Sequence, residues 1–178
     1  MKKVGAIISL LCVSIIILTI LFFVPFKINY KQTIISESAK YNLDQNLIYS
    51  VIKTESGFKE NAISSAGAVG LMQILPSTAE WVCKKLGVEY KYENLFIGEK
   101  NIQIGCYYLS YLLNLFDFNL DNTICAYNSG QYTVLSWLNS KEYSSDGITL
   151  ENIPYKETKN YLKKVKFNKF IYSHFIIK

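Results

Sequence analysis

The sequence predicts an all-α domain carried on one N-terminal membrane helix. Three observations point there. Residues 4–26 contain no charged side chain. Beyond them, apolar residues recur mainly at helical spacing. Helix-starting and helix-stopping residues then punctuate the chain at intervals that suit short and medium helices.

The run VGAIISLLCVSIIILTILFFVPF, residues 4–26, is long enough to cross a bilayer as a helix. Lys2 and Lys3 before it predict an N-terminus left in the cytoplasm and a remainder outside; Lys27 and Lys31 weaken that bias without reversing it. A cleaved signal peptide would share the placement and the basic start. However, the run exceeds a usual signal core and no small-x-small site follows it. Leu11 also stands before Cys12, where a lipoprotein signal carries a small residue. Residues 1–26 are therefore read as an anchor and residues 27–178 as one domain on the outer, cell-wall side of the cell membrane.

Residues 28–40 read as a first helix, broken at Tyr41-Asn42-Leu43. Asp44 is a candidate N-cap for a second helix, whose stripe is Leu47, Ile48, Val51 and Ile52. Ser56-Gly57 ends it. Pro76 opens a third helix that Gly87 stops. Residues 88–96 alternate polar and aromatic side chains and are read as loop or short strand. A long helix over residues 99–116 follows, with Ile102, Cys106, Leu109 and Leu113 in register. Residues 121–127 and 132–139 read as two shorter helices around the turn at Asn128-Ser129-Gly130. The polar stretch 141–152 is expected to be a mobile loop. Pro154 then opens a last helix, reaching about residue 172.

Composition excludes several function classes. There are 19 basic against 14 acidic residues, and without Lys2 and Lys3 the excess is three, too mild to argue for nucleic acid. It suits anionic wall polymers or a membrane surface, and equally a plain solvated face. No metal or other cofactor is expected, because His174 is the only histidine and no C-x-x-C occurs. Cys83, Cys106 and Cys125 are read as buried free thiols, although an extracellular setting would allow one disulfide.

The next position on the second helix's stripe, four residues after Val51, is Glu55. A carboxylate therefore stands where the pattern calls for a core residue. Either it turns into water at the helix end, or it is paired or held protonated by a raised pKa. A carboxylic acid kept protonated near neutral pH can serve as a general acid. After it comes the small-residue run Ser64-Ser65-Ala66-Gly67-Ala68-Val69-Gly70, which lets backbone approach a ligand closely. Gln73 follows in Leu71-Met72-Gln73-Ile74-Leu75, an amide in an apolar segment that needs partners.

Glu55-Ser56, Gly70-Leu71-Met72-Gln73 with Pro76 and Thr78-Ala79, Ala126-Tyr127-Asn128-Ser129-Gly130, and Ile153-Pro154-Tyr155-x-Glu157-Thr158-x-x-Tyr161 occur in that order. Together they resemble the signature of the lytic transglycosylase family, of goose-type lysozyme-like fold, over roughly residues 30–170. The resemblance implies that Glu55 is the catalytic acid/base and peptidoglycan glycan strands the substrate. It implies that Ser64 helps hold the sugar's N-acetyl group and that Gln73 lines the groove. Tyr108, Tyr127 and Asn128 would border the glutamate and the sugar, while Tyr155 and Glu157 would support the site from behind. Ser56 is read as a local hydrogen-bonding residue, since no histidine is at hand to activate it. Leu75, where relatives often carry methionine, conserves volume.

Glycoside hydrolysis usually takes two carboxylates. The next acids along the chain after Glu55, Glu60 and Glu80, are readable as surface charge. A single acid fits the substrate-assisted route the resemblance implies, which ends in a 1,6-anhydro sugar. The alternatives are a hydrolytic muramidase using the same Glu55, and a catalytically silent wall-binding protein. Partners in a larger cell-envelope assembly are compatible with the sequence, which names none. The basic, aromatic stretch 163–178 is read as a packed final helix with solvated lysines.

Overall fold

The computed structural model describes residues 11–19, 24, 26 and 28–177. Helices α1 (Lys31–Tyr41), α2 (Gln45–Glu55), α3 (Pro76–Leu86), α4 (Gly98–Leu115), α5 (Leu120–Ser129), α6 (Gln131–Leu138) and α7 (Lys156–Ile171) build the domain. A 3-10 turn, Tyr92–Phe96, precedes α4, and a π-helical turn, Tyr172–Ile176, follows α7. Among the described residues there is no β-strand, only isolated bridges at Ile63–Val69 and Val69–Ile74.

The expected caps do their work. Asp44 accepts a 2.8 Å hydrogen bond from the Asn46 amide at the start of α2. Pro76 occupies the first turn of α3, and Gly87 closes it in the left-handed conformation at φ 67°. The stripe on α2 is core: Leu47, Ile48, Val51 and Ile52 are all buried. Helix α4 is the central post, touching α1, α3, α5 and the 3-10 turn, while α7 lies across α2 and α5.

Two expectations need correction, and one left open is decided. Helix α1 begins at Lys31 rather than at 28, because Tyr30 takes a left-handed φ of 61° and lays its ring where a Cβ on Gly98 would stand. Of the two readings open for residues 88–96 the chain takes the loop, closed by the 3-10 turn: Leu95 is buried, and its carbonyl accepts a 2.9 Å bond from Asn101 Nδ2. The stretch 141–152 is tied down. Asp146 Oδ1 accepts from the Ile148 and Thr149 amides, and Asn122 Nδ2 donates to the Ile148 carbonyl at 2.7 Å.

The expected anchor falls largely on residues outside those described. Residues 11–19 of it are helical and exposed, and among the described residues no helix is long and apolar enough to cross a membrane.

Two apolar clusters fill the interior. The larger, including Ile48, Ile52, Met72, Leu109 and Val165, lies among α2, α4 and α7. The smaller, including Phe116, Ala126, Val134 and Trp137, lies under α5 and α6. Tyr108, Tyr127 and Leu162 pack against both, and a cleft opens along that seam.

Candidate active site

The cleft encloses about 380 Å³. It brings together Glu55, Ser64, Gln73, Tyr108, Tyr127, Asn128 and Glu157, from α2, the small-residue loop, α4, α5 and α7. Glu55 sits at the C-terminal end of α2, partly exposed to the cleft. Its Oε1 accepts a 2.6 Å hydrogen bond from the Tyr161 hydroxyl of α7, 106 residues along the chain. Burial pushes the carboxyl up to about 7; the Tyr161 bond pulls it down, and the charge of Glu157 pushes it up further. Burial, followed by the charge of Glu55, holds the hydroxyls of Tyr127 and Tyr161 well above the usual phenol range. Both therefore remain donors at any pH at which the domain would work.

The small-residue loop is shaped by backbone geometry. Gly70 has φ 83°, and a Cβ there would run into the Asn101 amide and the Leu95 carbonyl. Gln73, a non-glycine residue, also takes a left-handed φ of 50°. Its Nε2 donates to the Gly70 carbonyl at 2.9 Å and to the Ala62 carbonyl at 3.1 Å. That leaves its Oε1 as the group it can offer a ligand. Ser64 Oγ accepts from the Ala68 amide at 3.0 Å, so its own hydrogen stays available.

Asn101 on α4 holds this loop from beneath. It is fully buried, accepts from the Met72 amide at 2.7 Å and donates to the carbonyls of Val69 and Leu95, both at 2.9 Å. Tyr127 adds a 2.8 Å bond from its hydroxyl to the Met72 carbonyl. Ser56 is buried, donates to the Leu71 carbonyl at 2.8 Å and accepts from the Phe58 amide at 3.1 Å. It ties the end of α2 to the loop and does not line the cleft.

On the opposite side, Asn128 Oδ1 accepts from the Thr158 hydroxyl at 2.8 Å, joining α5 to the start of α7. Tyr108 packs its ring 5.5 Å from that of Tyr127, and burial with Tyr111 pushes its hydroxyl up to about 12. Tyr155 is absent from the cleft lining. It is exposed and meets Trp137 edge-on at 5.0 Å, so it props the α6–α7 connection instead. Glu60 and Glu80 are exposed and line no part of the cleft. The second acid facing the cleft is Glu157 itself, rather than a support behind it.

Two residues of consequence carried no assigned role in the sequence. Tyr161 stands in the C-terminal motif, but nothing along the chain pairs it with Glu55. Asn101 had one signal, an amide on the helix face that also carries Gly105 and Tyr108.

The cleft continues into an aromatic trough lined by Trp81, Tyr111, Gln131 and Tyr132, sharing Leu75, Thr78, Tyr108 and Gly130 with it. Gln131 Oε1 is buried there without a hydrogen-bond partner among the described residues.

Residues 32–148 match the family described as the transglycosylase SLT domain. The chain is 31% identical over 154 residues to the soluble lytic murein transglycosylase of Salmonella typhimurium, covering 85% of this chain and 24% of that protein. It is 33% identical over 159 residues to the membrane-bound lytic murein transglycosylase C of Edwardsiella ictaluri, covering 76% and 44%. The solved structure of the 70-kDa soluble lytic transglycosylase of Escherichia coli superposes with a TM-score of 0.76 at 28% identity, over 86% of this chain and 25% of that one. The chain thus spans under half the length of each of these relatives.

Proposed function

This chain belongs to the transglycosylase SLT domain family, and on that premise we propose that it is a peptidoglycan lytic transglycosylase with Glu55 as its single acid/base. The observation that carries the proposal is the Glu55 carboxyl, set in an open cleft, bonded by Tyr161 and raised to about 7. A group so placed is protonated often enough to give its proton and ionised easily enough to take one back.

The substrate is the β-1,4 bond between N-acetylmuramic acid and N-acetylglucosamine. Glu55 protonates the glycosidic oxygen while the N-acetyl carbonyl of the muramic acid attacks the anomeric carbon, forming an oxazolinium ring as the C–O bond breaks. Ser64 and Gln73, on the loop wall, orient that N-acetyl group. Glu55, now ionised, takes the proton of the 6-hydroxyl. The resulting oxygen closes on the anomeric carbon, reopens the acetamide and yields the 1,6-anhydro sugar without consuming water. The adjoining aromatic trough suits the apolar faces of further sugar rings, with Gln131 Oε1 open to a hydroxyl or amide donor.

Glu157 favours a second reading. A carboxylate in the same cleft could activate water, making the enzyme a hydrolytic muramidase. As to location, we propose that residues 4–26 anchor the domain in the cell membrane by a single span, with the cleft on the wall side.

Mass spectrometry of muropeptides released from purified peptidoglycan by the full chain tests these readings. We expect glycan ends one water lighter than hydrolysed ends, with Glu55→Gln slowing release about 10³-fold. Reducing ends would replace the lyase with the muramidase, and undiminished release by Glu55→Gln would remove Glu55 from the mechanism.

A further inference from the structure

We propose that the end of α7, the π-helical turn after it and the residues entering α1 form one face that rests on an anionic lipid surface. This rests on the reading of residues 4–26 as a membrane anchor. The anchor would then be a tether, and this face would be what sets the domain's orientation over the bilayer.

Phe167, Phe170 and Phe175 each leave about half of their surface exposed, on the last two turns of α7 and the π-helical turn. Phe170 stacks on the exposed His174 ring at 4.3 Å and meets Phe175 edge-on at 6.1 Å, so these rings form one aromatic ridge. Ile28, half exposed, and Ile35, about a third exposed, line a hollow together with Ile176 of the π-helical turn and Ile177. The π-helical turn, which carries both Phe175 and Ile176, thus joins the ridge to the apolar residues entering α1. Soluble surfaces seldom gather so many large apolar side chains without something to cover them.

Two features select lipid as the cover. The first is continuity. Phe26, where the apolar run stops, sets its ring against Tyr172 of the π-helical turn at 5.4 Å, edge to face. From Phe26 to Ile28 the chain advances at most about 7 Å. A bilayer holding the run is therefore within reach of the ridge. The second is charge. Residues 156–178 carry seven lysines against one acid, Glu157. Lys166 and Lys169 are taken up by Asp121 and Asp44 at 2.8 and 2.7 Å. Lys163 and Lys164 on α7, and Lys31 in the hollow, are exposed. Half-buried aromatic rings flanked by lysines are what the headgroup region of an anionic bilayer accommodates.

The test reconstitutes the full chain into phosphatidylglycerol–phosphatidylcholine vesicles with brominated acyl chains, which quench indole emission on contact. Two readings are taken together. Cys12 lies within the apolar run and is exposed in the protein, whereas Cys83, Cys106 and Cys125 are buried. Protection of Cys12 from an impermeant maleimide therefore reports the anchor alone. The extra indole emission of Phe175→Trp, against the parent chain, reports the face. We expect it to fall more than twofold and shift to the blue, while Ile63→Trp, exposed on the cleft-side loop, stays unquenched. The quenching should weaken in vesicles of phosphatidylcholine alone. Protected Cys12 with an unquenched Phe175→Trp overturns the lipid-facing surface and leaves the anchor standing, as a face covered by a second copy would do. A labelled Cys12 overturns both, and quenching equal in neutral vesicles overturns the role of charge.

Discussion

The two walls of the cleft are held by different forces. On one side the chain from Gly57 to Leu75 is almost free of regular structure; its own turns and bridges pair part of its backbone, and side chains reach several of the groups left over. Asn101 takes two of them as well as the Leu95 carbonyl beyond the stretch, Ser56 takes two, the Tyr127 hydroxyl one, and the Gln73 amide, from within the stretch, two more. The other wall is made of regular helix, α5 into α6 and the first turn of α7, whose backbone satisfies itself. There Val134, Ala126 and Trp137 supply apolar packing and the Thr158–Asn128 bond supplies the cross-link. Irregular backbone can bring a carbonyl or amide close to a sugar, but only if polar struts replace the missing ladder. The loop wall should therefore fail abruptly and the helical wall by degrees.

The largest effect is expected at Asn101→Leu. It keeps roughly the volume, leaves the Met72 amide and the Leu95 carbonyl unpaired in the core, and takes from the Val69 carbonyl one of its two donors, the Ile74 amide remaining. At about 1–3 kcal/mol per orphaned group, partly relieved by relaxation, the loss should be about 3–5 kcal/mol in urea unfolding, with muropeptide release abolished. An unchanged midpoint would mean that the loop is not hung on this residue. On the helical wall, Thr158→Val removes one bond between partly buried groups. It should cost about 1 kcal/mol and raise KM severalfold with kcat nearly intact. If it matched Asn101→Leu in severity, the contrast between the walls would collapse.

The smallest effects sharpen the comparison at Glu55, where the walls meet. Release should decline as pH rises through about 7, when the carboxyl loses its proton. The Tyr161 hydroxyl favours the ionised form, so Tyr161→Phe should move that decline to higher pH. Glu157 opposes ionisation, so Glu157→Gln should move it to lower pH. Each change should alter the rate at pH 7 by less than about tenfold. Profiles moving in the same direction would show that the two side chains do not act on Glu55 as its neighbours.

These contrasts also explain what could be read from the chain beforehand. Helices with local punctuation were legible, since Asp44, Pro76 and Gly87 write their ends into the sequence. The cleft's membership was largely legible as well, because Glu55, Ser64, Gln73, Tyr127 and Asn128 stand in compact motifs. What escaped depends on distant pairing. Tyr161 meets Glu55 only because α7 folds back across α2. Asn101 matters only because a loop some thirty residues earlier lacks a ladder of its own. The alternation over residues 88–96 imitates a strand, yet those groups fold around a carbonyl that Asn101 holds. The stretch 141–152 reads as mobile from composition, while its fastening comes from Asn122 on another helix. Glu157 was visible in its motif, but its place in the cleft required the turn at α7.

The three interior cysteines carry a consequence for the lifetime of the protein. Burial raises all three thiols, Cys125 to about 12, so in the folded domain none is available for exchange chemistry. Outside the membrane, an opened chain would expose them to oxidants, and mixed disulfides would trap it before it refolded. On the wall side proposed for the domain, survival would be governed by how seldom the core opens rather than by how much of it is folded at equilibrium. The sulfur atoms thus turn a reversible fluctuation into a one-way exit.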